Sequence, residues 1–240
     1  MELNKVDVYI ASLWRGGHVV NTINSLLRCP ELTGITVVCN NYTDNQIEQV
    51  QKELDYNPKV TLIKGNNEKG CSEKLRFINS GSSMYIALCD DDLIYPADYF
   101  TRLIEKAEQY KCLVSAHGRV LKRERATNYY LHKAKLYHCL HEVVEDSKVD
   151  IAGSGVCLIA RHLIPNIENL YNSVIYPNMT DIYLSFLCLL NGVDRIVIKH
   201  PNHWIKCKEF KETDFNIYEH HKNDCKPQTD FINKLFLGYE

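Results

Sequence analysis

Three consecutive carboxylates, Asp90, Asp91 and Asp92, are the side chains of this sequence best suited to chemistry. They follow directly on the apolar run 84–89, which predicts a buried β-strand. In open α/β sheets, ligands collect beyond the carboxyl ends of the strands. Because neighbouring carboxylates repel one another, a cation would help to keep all three ionised. Oxygen ligands of this kind are typical of Mg²⁺ and Mn²⁺ sites that also hold substrate phosphates.

An alternative for the same triplet is a solvated acidic turn that caps the helix opening at Pro96. The position at a strand end favours a site over a turn. In an extended chain alternate side chains face the same way, so Asp90 and Asp92 can share one metal ion.

Asp181 is the second candidate, because it opens a strongly apolar helix that ends near Asn191-Gly192. A carboxylate at a helix N-terminus is kept ionised by the helix dipole and is ready to accept a proton. Thr180 and Asp181 are equally suited to capping the helix. The two roles are compatible, so the sequence leaves both open.

The elements that must position these residues follow a βα alternation in the first half of the chain. Apolar strands are predicted at 6–11, 35–39, 60–63 and 84–89, and helices at 19–27, 44–54, 71–80 and after Pro96. Such a series predicts a parallel, doubly wound sheet with right-handed crossovers. In the second half, strands are predicted at 112–115, 156–160 and 195–198, whereas 122–146 is aromatic, His-rich and aperiodic.

Composition excludes several classes of protein. The 240 residues carry a net charge of −2, so there is no basic surface for nucleic acid, and local groups must hold any anionic ligand. No apolar run approaches the ~20 residues that span a bilayer. Ten cysteines without a Cys-x-x-Cys pair, half of them inside apolar runs, predict free thiols. Together with the absence of a visible signal peptide, this predicts a cytoplasmic protein.

The segment 87–99, Ala-Leu-Cys-Asp-Asp-Asp-Leu-Ile-Tyr-Pro-Ala-Asp-Tyr, closely resembles the Asp-x-Asp segment of family 2 glycosyltransferases of GT-A fold. The likeness is strongest to bacterial enzymes that build capsular and surface polysaccharides, and in layout it covers about residues 5–200. It implies an α/β, Rossmann-like GT-A fold with a mostly parallel central sheet and helices on both faces. One domain would span 1–240, with a nucleotide-sugar-binding half at 1–115, an acceptor half at 116–205 and a tail or lid at 206–240.

The resemblance also implies an activity. It would be an inverting, hexosyltransferase-type transfer from a nucleotide-diphosphate sugar, with UDP expected, to a hydroxyl of a glycan or lipid-linked acceptor. Mn²⁺ or Mg²⁺ would be the cofactor, and the enzyme would associate peripherally with the inner membrane.

On the donor side, the resemblance assigns residues to the nucleotide pocket, to the base and ribose, and to the metal. Lys69 and Lys74 match the region where the family sets a basic residue and a polar helix face against the nucleotide, although Lys69 suits an ordinary exposed face equally well. The family often has an acid at the end of the second strand, where this chain has asparagines. The pocket residues are Ala11, Ser12 and Arg15; those near base and ribose are Asn40, Asn41 and Asp44; those approaching ribose and metal are Asp90 and Asp91; the metal ligands are Asp90, Asp92 and His203.

On the acceptor side, the family commonly carries an acidic pair at the start of a late helix, and one member is the catalytic base. Here Thr180 replaces the first acid, so Asp181 is the implied base. The small residues Gly153, Ser154 and Gly155 would leave room for the acceptor sugar, or form a plain turn. Trp204 would stack on that sugar.

Two other functions fit the same features. A metal-dependent nucleotidyltransferase also uses paired aspartates, but it normally has a Gly-rich basic loop after the first strand, of which residues 13–17 are a faint echo. A non-catalytic nucleotide- or sugar-binding module would keep the pocket but would not need Asp181.

Overall fold

The first half of the chain forms the parallel part of the central sheet. The computed structural model describes residues 5–14, 18–207 and 222–239. The strands and helices of this half are β1 (Val6–Leu13), α1 (His18–Leu26), β2 (Leu32–Asn40), α2 (Asp44–Glu53), β3 (Val60–Gly65) and β4 (Tyr85–Cys89). β1 pairs in parallel with β2 on one side and with β4 on the other. β3 adds in parallel to β2.

The second half extends this sheet. Its elements are β5 (Leu93–Ile94), α3 (Tyr99–Tyr110), β6 (Leu113–Ser115), β7 (Gly118–Val120), β8 (Lys135–Tyr137), β9 (Ser147–Lys148), β10 (Ile151–Ala152), β11 (Val156–Ala160), α4 (Leu170–Ser173), α5 (Thr180–Leu190), β12 (Arg195–Val197), β13 (Lys206–Cys207) and α6 (Lys226–Leu235). The sheet order is β3-β2-β1-β4-β11-β6-β12-β9, and a smaller sheet has the order β10-β7-β8. β11 runs antiparallel to both of its neighbours.

The architecture confirms the α/β fold class: a large, mostly parallel central sheet flanked by helices, as in a Rossmann-like GT-A fold. Every residue of β4 and β11 is buried, which is typical of strands covered on both faces. Among the described residues, no helix is long and apolar enough to cross a membrane.

The predicted helix at 71–80 is instead a short 3₁₀ helix, Gly70–Leu75. Its residues Ser72, Glu73 and Lys74 are all buried, and their side chains bond in three directions. Ser72 bonds Thr180, Glu73 accepts from Tyr171, and Lys74 reaches Asp90. A segment that buries polar groups on several sides has no single apolar stripe to seat a longer α-helix.

The C-terminal helix α6 packs on the body of the protein. Phe231 meets Tyr183 with ring centroids 4.7 Å apart, and the Asn233 side chain bonds both backbone groups of Ala126, at 2.7 and 2.9 Å. Part of the predicted tail or lid, residues 208–221, lies outside the described residues.

All ten cysteines lie in the described part of the chain and none forms a disulfide. When the purified protein is unfolded without a reducing agent and alkylated, mass spectrometry should therefore count ten labelled thiols. Eight of the thiols are buried and therefore protected from oxidants. Disulfides in freshly purified protein would contradict this expectation.

Candidate functional site

The acidic triplet lies where the strand order of the sheet reverses. From β1 the chain winds outward to β2 on one side and returns to β4 on the other. The register sets Leu13 beside Asn40 and Ile10 beside Cys89, so the carboxyl ends of β1, β2 and β4 meet. A crevice at such a switch point is the usual ligand site of open α/β sheets. Here it is a cavity of about 680 Å³, within the usual range for small-molecule sites.

The structure brings most of the predicted site residues to this cavity. Nine of them line it: Ala11, Asn40, Asp90, Asp91, Asp92, Gly153, Ser154, Gly155 and Asp181. Ser12 and Lys74 contact the acidic triplet from behind. Arg15 lies outside the described residues.

Asp91 is held by the first strand. Its Oδ2 accepts a hydrogen bond from Ser12 Oγ at 2.6 Å, and Ser12 Oγ lies 2.7 Å from the Tyr42 hydroxyl. Ser12 and Asp91 are both buried. A buried carboxylate with a hydroxyl donor is fixed in one orientation, so Asp91 forms a rigid part of the cavity wall.

Asp90 forms an ion pair with the buried amine of Lys74. The Nζ–Oδ1 distance is 2.8 Å, and the Lys74 side chain is only 1% exposed, against 47% for Asp90. Lys74 Nζ also donates to the Cys89 carbonyl at 3.2 Å. Burial alone would lower the pKa of the Lys74 amine, but the Asp90 carboxylate raises it above its usual value. Lys74 therefore stays charged and orients Asp90.

The two glycines of 153–155 make room for side chains of the site itself. A Cβ on Gly155 would lie 1.8 Å from Asp90 Oδ2, and one on Gly153 would lie 2.9 Å from the His117 Cβ. The first contact would displace the Asp90 carboxylate, and the second would press on the His117 side chain. The missing side chains thus let Asp90 and His117 sit against β10 and β11, at the border of the cavity.

Asn40 lines the cavity and keeps one acceptor buried beside Gly65. Its amide nitrogen donates to the Gly70 carbonyl at 3.2 Å, but within the described residues its Oδ1 has no hydrogen-bond partner. The residue is 2% exposed. A buried acceptor without a partner is costly, and a donor from a ligand or a water would satisfy it.

The donor set fits a hard divalent cation. Asp90, Asp91 and Asp92 present only carboxylate oxygens, the ligand type of Mg²⁺ and Mn²⁺. One oxygen of Asp90 is taken by Lys74 and one of Asp91 by Ser12. The carboxylates of Asp90 and Asp92 are the groups that would hold the ion.

Asp181 lies on another wall of the same cavity. Its Oδ2 accepts from the Tyr129 hydroxyl at 3.0 Å, and its Oδ1 accepts from the Ile182 backbone at 2.9 Å. Burial raises its pKa above the usual value for aspartate, against the opposing effects of the Arg119 charge and the Tyr129 hydrogen bond. Arg119 lies over the Tyr129 ring, 4.4 Å from its centroid. A carboxylate with a raised pKa is a stronger base than an exposed one.

Thr180, which stands beside Asp181, joins two segments of the site. Its hydroxyl is fully buried and lies 2.8 Å from Ser72 Oγ and 3.2 Å from Cys71 Sγ. Met179 occupies the N-cap position without a side-chain bond. The predicted capping role is therefore wrong for both residues, because the Ile182 amide that Asp181 bonds already donates to the Met179 carbonyl at 3.1 Å. The Asp181 carboxylate borders the cavity.

Five other positions singled out in the sequence do not line the cavity: Asn41, Asp44, Lys69, His203 and Trp204. Lys69 donates to the Tyr171 carbonyl at 2.6 Å, and Asp44, exposed at the start of α2, pairs with Lys64 at 2.7 Å. Asn41 is exposed at the end of β2. His203 is likewise exposed, on the connection after β12.

Trp204 is occupied by neighbours on the outside of α3. Its ring stacks on His200 at 5.7 Å and meets Tyr99 at 5.5 Å, and the Arg102 guanidinium lies 4.4 Å from its centroid. Its indole nitrogen donates to Asp98 at 3.2 Å.

Several cavity residues come from the aperiodic stretch that the sequence left without structure. They are Tyr129, Tyr130, His138, Cys139 and Leu140. The signal was the density of Tyr and His in a segment without a helical or strand period. Function is often carried by such irregular segments on a rigid scaffold.

Comparison with known proteins agrees with this geometry. The family model for glycosyl transferase family 2 matches residues 8–167, about two thirds of the chain. The matched range begins in β1, contains the acidic triplet and Gly153 to Gly155, and ends before Asp181. No curated protein matches the chain significantly. By its fold, its strand-end carboxylates and this match, the chain belongs to glycosyl transferase family 2.

Proposed function

We propose that this glycosyltransferase transfers a hexose from a UDP-sugar to a hydroxyl of a glycan or lipid-linked saccharide, with inversion at the anomeric carbon. One observation carries the proposal: the acidic triplet and Asp181 face the same cavity of about 680 Å³. A single displacement needs a charge-neutralising group at the leaving diphosphate and a base at the acceptor. This cavity has a candidate for each.

The donor would lie along the β1–β4 crevice. Asn40 would lie near the base and ribose, and Ala11 would contact the nucleoside. Asp91 and Asp90 would approach the ribose, held in place by Ser12 and Lys74. A bound Mn²⁺ or Mg²⁺ on Asp92 and Asp90 would supply charge neutralisation at the leaving diphosphate.

The acceptor would enter between Gly153-Ser154-Gly155 and the start of α5. There Asp181 would remove the proton of the attacking hydroxyl. Tyr130, which is half-buried, lines the cavity and would offer an aromatic surface to the sugar, whereas the buried Tyr129 holds Asp181. This role stands on geometry, because Asp181 lies beyond the part of the chain that the family model matches.

The acceptor class and the setting are proposed on the sequence resemblance. A capsular or surface polysaccharide is the expected product, made in the cytoplasm with peripheral association at the inner membrane. His203 would complete the metal shell only after a rearrangement of its exposed segment.

The proposal is tested by incubating the protein with a panel of nucleotide sugars and Mn²⁺. Slow release of UDP from one donor, accelerated by a saccharide acceptor, is the expected result. A nucleotidyltransferase would instead join a nucleoside triphosphate to a sugar phosphate and release pyrophosphate. Saturable nucleotide binding with no turnover of any donor would favour a binding module and contradict the proposal.

Replacing Tyr129 by phenylalanine should move the acidic limb of the pH–rate profile to higher pH. The Tyr129 hydroxyl lowers the pKa of Asp181, so its loss lets that pKa rise further. Because a base acts only when deprotonated, the variant should be slower than wild type at acidic pH and approach it at alkaline pH. The measurement is kcat/KM against pH.

Tyr183→Phe is the matched control. The Tyr183 hydroxyl lies on the same helix as Asp181 but accepts from the backbone of Ile175 at 3.1 Å. Its removal should leave the limb in place. If the acidic limb of the pH–rate profile lies at the same pH in wild type and in Tyr129→Phe, then Asp181 is not the group whose ionisation limits the rate.

A further inference from the structure

A second group of metal-ligating side chains borders the cavity, separate from the acidic triplet. It consists of His117, between β6 and β7, and of His138 and Cys139, directly after β8. The antiparallel pairing of β7 with β8 sets Gly118 opposite Tyr137, so the residues flanking that pair are neighbours across the ladder. The two imidazole rings accordingly lie 5.1 Å apart. All three residues line the cavity.

The donor atoms of these side chains converge. One ligand atom of each lies within 4.8 Å of the other two. Within the described residues, neither ring nitrogen of His117 makes a hydrogen bond, and the thiol of Cys139 contacts only its own backbone amide. His138 Nδ1 accepts from the Leu140 backbone at 3.3 Å, at the long end of the range, and a metal bound at Nδ1 would replace that bond. Two of the three donors thus bond no other residue in the described part of the chain.

Charges of both signs lie near the cluster: the Arg119 guanidinium opposes a cation, and the carboxylates of Asp90 and Asp92 attract one. Burial and the nearby Arg119 lower the pKa of His117 to about 3, so its ring is neutral and its lone pair is free for a metal. Burial and the charge of Asp90 raise the pKa of the Cys139 thiol to about 12, and Asp92 acts in the same direction. A divalent ion would take the place of the thiol proton and interact favourably with both carboxylates.

We propose that His117, His138 and Cys139 form a site for a thiophilic divalent cation of the Zn²⁺ type. Two imidazoles and a thiolate are ligands that Zn²⁺ prefers, whereas Mg²⁺ and Mn²⁺ prefer the oxygens of the acidic triplet. Three protein ligands leave the fourth position to a water or to an oxygen of a bound ligand. Binding releases the Cys139 proton and joins the β6–β7 connection to the segment after β8.

Cobalt is the probe that tests this site, because Co²⁺ replaces Zn²⁺ and reports its ligands by absorption. Metal-free full-length protein is titrated with Co²⁺ under reducing conditions. We expect one equivalent to produce a thiolate-to-cobalt charge-transfer band in the near ultraviolet, which Zn²⁺ abolishes and excess Mg²⁺ does not. His117→Gln should weaken Co²⁺ binding by about tenfold or more. The loss of a ligand should cost at least as much affinity as the loss of a residue that only bonds a ligand.

Three variants distinguish this site from the other groups that could bind the probe. Cys139→Ser should lose the band, whereas Cys71→Ser, which changes another cavity-lining cysteine, should keep it. Asp92→Asn should also keep it, because the acidic triplet supplies no sulfur. Absence of the band in the wild-type protein would overturn the site whatever the variants do. So would a band that survives in folded Cys139→Ser or that disappears equally in Cys71→Ser.

Discussion

Replacing Asp181 by asparagine is expected to lower the rate of sugar transfer by at least about two orders of magnitude, the scale of a general-base contribution. Asparagine is nearly isosteric: its carbonyl oxygen can still accept the hydrogen bond from the Ile182 backbone, and its amide nitrogen can donate to the Tyr129 hydroxyl. It cannot accept the proton of the acceptor hydroxyl at neutral pH. The fold and the donor site should therefore be retained while turnover is lost. The measurement is kcat at saturating donor, acceptor and metal, with UDP affinity determined in parallel.

Asp194→Asn is the control for a general effect of removing a carboxylate. Asp194 pairs with Lys148 at 2.6 Å, is 55% exposed and does not line the cavity, so its variant should transfer sugar like wild type. An Asp181→Asn variant that keeps more than a third of the wild-type rate would refute the base assignment. Asp150 is a poor substitute, because its carboxylate is already bonded to Leu121 and Arg123.

The donor half of the site could be predicted because its chemistry is local in sequence. A parallel strand ends where its apolar run ends, so the residues after 11, 39 and 89 had to meet at one edge of the sheet. The sequence did not show which residues bond these carboxylates. Lys74 was predicted on a polar helix face against the nucleotide, because nothing in its neighbourhood signals that the amine is buried against a strand end 16 residues later.

The acceptor half could not be predicted to the same depth, because it is assembled from distant and irregular segments. Tyr129 reaches Asp181 across 52 residues, and His117 meets His138 through a short antiparallel pair. Two- and three-residue strands give no period to read. The glycines at 153 and 155 were recognised as space, but the side chains that fill this space, His117 and Asp90, are set by tertiary packing.

Removal of the Asp90 charge should destabilise the protein, although Asp90 faces a cavity. In Asp90→Asn the Lys74 amine, 1% exposed, loses the one carboxylate it pairs with among the described residues and keeps the carbonyls of Cys89 and Ser154. Breaking a buried ion pair at one end typically costs about 3–5 kcal/mol, and the half-exposure of Asp90 puts the expected loss near the lower limit. Lys74→Met should cost less, because the carboxylate left behind can be solvated. The free energy of unfolding from urea titrations measures both.

The double variant Lys74→Met/Asp90→Asn separates this structural role from metal binding. If the ion pair is the cause, the double variant should be more stable than the sum of the single losses predicts, with a coupling above about 0.5 kcal/mol.

Asp92→Asn should instead weaken UDP binding in the presence of Mn²⁺, and its effect should disappear when EDTA is added to wild type and variant alike. Calorimetric titration of UDP with Mn²⁺ and with EDTA measures this. Wild-type affinity for UDP that is equal with Mn²⁺ and with EDTA would contradict the metal role of the triplet, whereas additive stabilities would contradict only the Lys74–Asp90 coupling.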